Sequence, residues 1–176
     1  MAKWAAFPQP GEYQLDAGGV TRQWARLHAG DAEPLPTDAA VLAAWVLFHN
    51  GDFQQAAEAG LRAGTAGWIV ANKATCVHAT YVEKKEKTRL DLFQQVAQRA
   101  AEHAQAEPSN ANAWYLQAIA LGRYSQGISV AKALAQGLGG RVKDALERAV
   151  ALQPLHAEAR VALGAFHAEV IDKVGS

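Results

Sequence analysis

Six histidines, one cysteine and an Arg123-Tyr124-Ser125 triplet hold most of the chemical capacity of this sequence. His156 and His167 share a helix face at a spacing of eleven, but at a helical rise they stand about 16 Å apart, too far to share an ion. His78 lies two residues from Cys76 and points elsewhere on a helix, and no His-Glu-x-x-His occurs, so neither a metal nor a cofactor is expected. Arg123 offers a planar cation for a carboxylate or phosphate; the alternative is an arginine that bridges helices or pairs with a nearby acid. His167, Glu169 and Asp172 could serve a site near the C-terminus, although solvated or interhelical pairs are the commoner fate of such residues. Gly137-Leu138-Gly139-Gly140 precedes a helix, where backbone amides could hold an anion. It follows no strand and lacks the Gly-Lys-Ser/Thr ending of a nucleotide loop, so it reads as a flexible connection. No Gly-x-Ser-x-Gly elbow is present, and the expectation is a protein with no catalytic residues.

Composition narrows the classes further. The 176 residues carry 17 basic and 17 acidic side chains, divided evenly along the chain, so the non-specific pull on nucleic acid is missing. The longest nearly uncharged run, residues 39–50, is well short of the ~20 residues needed to span a bilayer, so no membrane span is expected. Prolines and a glycine interrupt the first residues before a secretory signal could form. A single cysteine excludes a disulfide scaffold and fits a reducing cytoplasm, and Cys76 reads as a small buried apolar residue.

The elements that must position these residues are helical throughout. Residues 1–36 form an irregular segment with one short helix, on which Val20, Trp24 and Leu27 fall at helical spacing before Gly30. From Thr37 or Asp38 a helix carries Val41, Leu42, Trp45, Val46 and Phe48 to Asn50-Gly51, and Asp52 opens a second that ends at Gly64. Further helices are predicted over about 67–83, 89–106, 110–125, 140–152 and 156–174, with the charged residues 83–89 as a solvated loop. No useful stretch alternates with period two, so the fold class is all-α.

These helices form repeated hairpins. Asn50-Gly51-Asp52-Phe53 with Ala56, Gly60 and Ala63 resembles the turn and second helix of a tetratricopeptide repeat, and Ala149 to Pro154 resembles that repeat's close. Three hairpins and a final single helix over residues 37–176 would stack as a short right-handed solenoid. Small residues sit where helices cross. Pro108 and Pro154 are 46 apart where about 34 is usual, which implies a 12-residue insertion within residues 125–140.

Trp114-Tyr115 through Leu121-Gly122-Arg123-Tyr124, then Ala145-Leu146-Glu147-Arg148-Ala149 to Gln153-Pro154, is similar to bacterial tetratricopeptide proteins distantly related to the regulator of microtubule dynamics family, and to helical periplasmic components of some tripartite transporters. The resemblance implies a superhelical adaptor with a concave groove for a protein or peptide and no catalytic residues; the microtubule role belongs to the eukaryotic branch. Such proteins continue past Ile171-Asp172-Lys173-Val174-Gly175, so the chain is expected to be truncated at Ser176, leaving an apolar face on the last helix that could pair with a second copy. Carried onto this sequence, the family's groove positions are Asp38, Val41, Trp45, Phe48 and His49 in the first repeat. The second supplies Asn72, Thr75 and Ala79, and the third Asn112, Tyr115, Ile119 and Arg123. The alternative is that Trp45, Phe48 and Tyr115 pack against the N-terminal segment or the insertion. The leading functional expectation is a non-enzymatic scaffold; the other is a small-ligand or anion binder, transport-linked, with Arg123 and the insertion as a lid.

Overall fold

A computed structural model describes residues 3–8 and 14–174 of the chain, with side chains through Glu169. Among the described residues there is no strand. The helices are α1 (Ala17–Leu27), α2 (Ala39–His49), α3 (Phe53–Arg62), α4 (Trp68–Tyr81), α5 (Glu86–Ala106), α6 (Ala111–Gln126), α7 (Val130–Ala135), α8 (Leu138–Leu152) and α9 (Ala157–Val174), with one 3-10 turn at Gly64–Gly67. None is long and apolar enough to cross a membrane among the described residues.

Side-chain caps set several helix starts. Asp16 accepts from the Gly19 amide at 2.6 Å, Asp38 from Ala40 at 2.7 Å and Asn110 from Ala113 at 3.2 Å, each satisfying an amide that the first turn leaves free. At the end of α2, the Gly51 amide donates to Phe48 and the Asp52 amide to Leu47, a Schellman closure. The left-handed φ of +84° that this closure requires explains the glycine at position 51.

Each helix packs mainly on its neighbours in sequence. α2 lies on α3, α3 on α4, α4 on α5, α5 on α6, α6 on α8 and α8 on α9, while α2 also touches α4 and α4 touches α6. The closest approach joins α3 to the turn before α4: a Cβ on Gly60 would stand 2.6 Å from the Gly67 carbonyl oxygen, so only glycine fits there. α4 is enclosed on nearly all sides, from Ile69 to Ala79. One core cluster gathers Val20, Trp24, Val41, Trp45, Val70 and Leu116; the next gathers Phe93, Val96, Leu121, Tyr124, Leu138 and Leu146.

Two boundaries differ from expectation. α5 begins at Glu86, inside the charged run, because an acidic residue in the first turn complements the helix dipole; only residues 83–85 are loop. α8 begins at Leu138, two residues before Gly140, because the Leu138 side chain is 2% exposed and anchors the first turn in the core. Gly139 and Gly140 are therefore helical, not a flexible connection. The insertion forms the short α7, capped by Ser129. On α9, Ala162, Leu163 and Phe166 pack inward while Val161 is exposed; the side chains of Val170, Ile171 and Asp172 lie outside the described residues.

Candidate functional site

Between α1 and α2 the chain runs through a strap, residues 28–36, that is held by α2, α4, α6 and α9. Its first contact is with α2. His28 stacks on Trp24 at 4.0 Å between ring centroids, and its Nε2 lies 3.1 Å from Nε2 of His49, so one hydrogen is shared between the two imidazoles. The other His28 nitrogen, Nδ1, donates to Asp31 at 3.0 Å. Burial, then the neighbouring His28, pushes the His49 imidazole down to about 4.

The second contact is with α4. Asp31, 1% exposed, forms an ion pair with Lys73. Burial alone would raise its carboxyl, but the His28 hydrogen bond and the Lys73 charge outweigh it and hold the group at about 2. Lys73 has a second anionic partner, Glu158 of α9, at 3.3 Å.

The third contact, with α6, runs through one carboxamide. Asn112 Nδ2 donates to the Asp31 carbonyl oxygen at 3.1 Å and to Glu33 Oε2 at 2.6 Å, while its Oδ1 faces His156 Nε2 at 2.9 Å. The Ala159 amide donates to His156 Nδ1 at 3.1 Å, so Nδ1 is an acceptor and the ring's proton sits on Nε2. His156 is thus neutral, in keeping with a pKa lowered by burial, and it caps α9 with one nitrogen while orienting Asn112 with the other. Burial, with the Asp31 charge nearby, pushes the Glu33 carboxyl up to about 8 despite the bond from Asn112, so Glu33 carries its proton at neutral pH. On α9 itself, the Glu158 amide donates to the Gly30 carbonyl at 2.9 Å. Tyr115 packs its ring 4.6 Å from His156, and burial followed by the Glu158 charge raises its hydroxyl pKa.

The residues assigned to an open groove fall into three groups. Val41, Trp45, Asn72, Thr75, Ala79 and Asn112 are buried. Trp45 meets Trp24 edge-on at 5.7 Å, so it packs against the N-terminal segment and is closed to a partner. Asn72 accepts from Arg99 Nε at 2.6 Å, and Thr75 donates to the Ala71 carbonyl within its own helix. Phe48, His49, Tyr115 and Ile119 are half-buried. Asp38 and Arg123 are exposed: Asp38 is a helix cap, and Arg123 reaches Gln126 at 3.4 Å, which in turn donates to Glu169 of α9 at 3.0 Å. Arg123 therefore belongs to a bridge between α6 and α9, and Glu169 is engaged there instead of with His167.

Sequence reasoning passed over His28, Asp31, Glu33, Lys73 and Glu158. One signal was available: Lys73 is the single Asp, Glu, Lys or Arg between residues 63 and 82, and a lone charge in so apolar a stretch needs a buried counter-ion. No group of three His, Cys, Asp or Glu residues is placed to hold a metal ion among the described residues. A separate cleft of about 790 Å³ lies along α5, lined by Gln94, Gln98, Gln105, Tyr124, Gln136 and Arg141.

What the constellation does is hold a turn and the short irregular stretch that follows it, closed by the bond from the Ala32 amide to the His28 carbonyl. It takes Gly30 and Asp31 by their carbonyls and Asp31 and Glu33 by their carboxyls. Comparison with curated proteins and with solved structures finds no match. The family model for Regulator of microtubule dynamics protein 1-3 matches residues 65–173, from within the 3-10 turn almost to the end of α9. That stretch supplies Lys73, Asn112, His156 and Glu158, while the strap they hold lies before it. Since the match spans more than half of the sequence, the chain belongs to the regulator of microtubule dynamics 1-3 family.

Proposed function

We propose that the protein is a non-enzymatic interaction module of the bacterial cytoplasm, a short right-handed tetratricopeptide-like stack that binds a protein or peptide partner on the face shared by α2, α4, α6 and α9. The observation that carries this reading is the strap itself. Four helices already hold a polypeptide segment there, two of its carbonyls taking hydrogen bonds from α6 and α9. The pairing of α3 with both α2 and α4, together with the direct α2–α4 and α4–α6 contacts, fits the helix order of such repeats. A lone buried cysteine suits a reducing compartment.

The test uses residues of this face that are not core. Tyr115→Ala and Ile119→Asp alter half-buried side chains, whereas Trp45→Ala would hollow the core and report only unfolding. A native partner held by the wild type should be lost from both variants and kept by Val161→Ser, which changes an exposed residue of α9. Equal retention by all four proteins overturns the assignment.

A second reading, a small-ligand binder, rests on the cleft along α5. Gln94, Gln105 and Gln136 line it with Arg141, Asp91 and Glu102, which suits a small polar molecule that carries both an acceptor for the arginine and donors for the carboxylates, and Gln136 follows the insertion helix. Arg123 is outside this lining. A panel of carboxylates and phosphates that leaves the melting temperature unchanged would remove this reading.

A further inference from the structure

We propose that Lys73, Asn112 and the first turn of α9 form a recognition site for an acidic Asp-x-Glu segment whose middle residue is left-handed, and that residues 30–33 are its resident occupant, displaced when a partner's acidic segment takes their place. This rests on the binding-module reading above and deepens it by naming the partner's chemistry.

The strap is held in the way a bound peptide is held. The Gly30 carbonyl accepts from the Glu158 amide at 2.9 Å and the Asp31 carbonyl from Asn112 Nδ2 at 3.1 Å, contacts that any sequence could make. Charge selectivity comes from Asp31, which pairs with Lys73; Glu33, which carries its proton here, accepts from Asn112 at 2.6 Å as a neutral group. The site faces the middle of a segment through its side-chain carboxyls and makes no use of a chain terminus.

Two features make the occupant exchangeable. Ala32, between the two acids, has a left-handed φ of +50°, a conformation that disfavours any residue with a Cβ. Lys73 keeps Glu158 as a partner when Asp31 leaves, so its charge is not stranded. The chain-specific consequence is a preference for glycine at the middle position: Asp-Gly-Glu should fit better than Asp-Ala-Glu. The remainder of the N-terminal segment can stay in place, since Val20 and Trp24 are anchored in the core by their own side chains.

The probe is a fluorescein-labelled peptide of residues 28–36, His-Ala-Gly-Asp-Ala-Glu-Pro-Leu-Pro, and the receptor is the full chain carrying Asp31→Ser and Glu33→Ser to loosen its own strap. Because a tethered segment competes at high effective concentration, the loosened chain should bind the peptide about tenfold or more tighter than the wild type. Adding Lys73→Met should weaken that binding about tenfold, and a peptide with Ser in place of both acids should not bind. The glycine-centred peptide should bind tighter than the alanine-centred one. No binding to a loosened chain whose circular dichroism is native overturns the proposal, and so does equal binding by the Lys73→Met form or of the Ser peptide. Should the loosened chain fail to fold, millimolar peptide is added to the wild type and hydrogen exchange of residues 28–36 is followed. Accelerated exchange confined to the strap supports displacement, and unchanged exchange overturns it. If the peptide fails while Tyr115→Ala and Ile119→Asp still strip a native partner, the exchange falls and the shared face stands. If the peptide binds while those variants leave partner retention unchanged, the acidic site stands and the wider assignment falls.

Discussion

Asn112 and His156, 44 residues apart in sequence, orient one another: Nε2 of the imidazole donates to the carboxamide Oδ1 at 2.9 Å, which turns Nδ2 of Asn112 onto the strap. Both ends of the carboxamide are used. Asn112→Ala should therefore destabilise the fold by about 2–3 kcal/mol, since it leaves the buried His156 Nε2–H and the Asp31 carbonyl without partners. Urea denaturation measures it, and Asn112→Asp should not rescue, because a carboxylate cannot donate to the strap and would face the Glu33 carboxyl.

The pH dependence should have two opposed limbs. Glu33 has a folded pKa near 8, above its ordinary 4.5, so its contribution is fully present below 4.5 and is lost as pH rises through 8. His49 is depressed from 6.5 to about 4, so its contribution is present above 6.5 and is lost as pH falls through 4. The melting temperature of the wild type should decline between pH 6.5 and 8. Glu33→Gln, which keeps an acceptor for Asn112, should abolish that decline and leave the acid limb standing alone. A decline of equal slope in the variant would assign it to another group.

Much of this was readable in advance, and the division has a physical basis. Helix identity follows from local signals such as the caps at Asp38 and Asn110 and the Asn50-Gly51 closure, and these stand where spacing and residue type put them. The start of α8 was missed because two consecutive glycines argue locally against a helix, while the burial of Leu138 decides the matter through tertiary contact. The strap was illegible for the same reason. Nothing near Asp31 in sequence announces Lys73, Asn112 or Glu158, so the expected groove residues fall on or beside α2, α4 and α6 without the segment that covers those helices.

Glycine substitutions should separate close approach from mere flexibility. Gly67→Ala should cost about 3 kcal/mol, because the new methyl group would collide with the Gly60 backbone. Gly122→Ala, within α6 and with no atom within 4 Å of its added Cβ, should stabilise by about 0.5–1 kcal/mol through helix propensity. Thermal melts of the two variants should move in opposite directions.

Trp24 offers a test of how the strap is anchored from the α1 side. Its indole N–H donates to the Glu33 carbonyl at 2.7 Å while the ring stacks on His28. Trp24→Phe retains an aromatic ring and loses the bond, so it should lower stability by about 1 kcal/mol, and hydrogen exchange should quicken at residues 31–33 before it quickens in α2.

Cys76 should be inert in the native protein. The thiol is 6% exposed, and burial pushes it up to about 12, so a thiol-specific reagent at pH 8 should label it only after denaturation. Prompt labelling of the native chain would show that α4 opens far more often than its enclosure allows.

The strap also bears on how the molecule comes apart. An array in which helices touch mainly their sequence neighbours can fray from either end, one unit at a time. Here Asn112 reaches back 79 residues to Glu33, and Lys73 reaches forward 85 to Glu158. Those bonds tie both ends of the stack to its middle, so the loss of α9 strips the support from the strap and the loss of the strap exposes α2, α4 and α6 together. The strap can open locally before the helices do, but the helices it covers then come apart together, and folding has to wait for the most distant partners to meet.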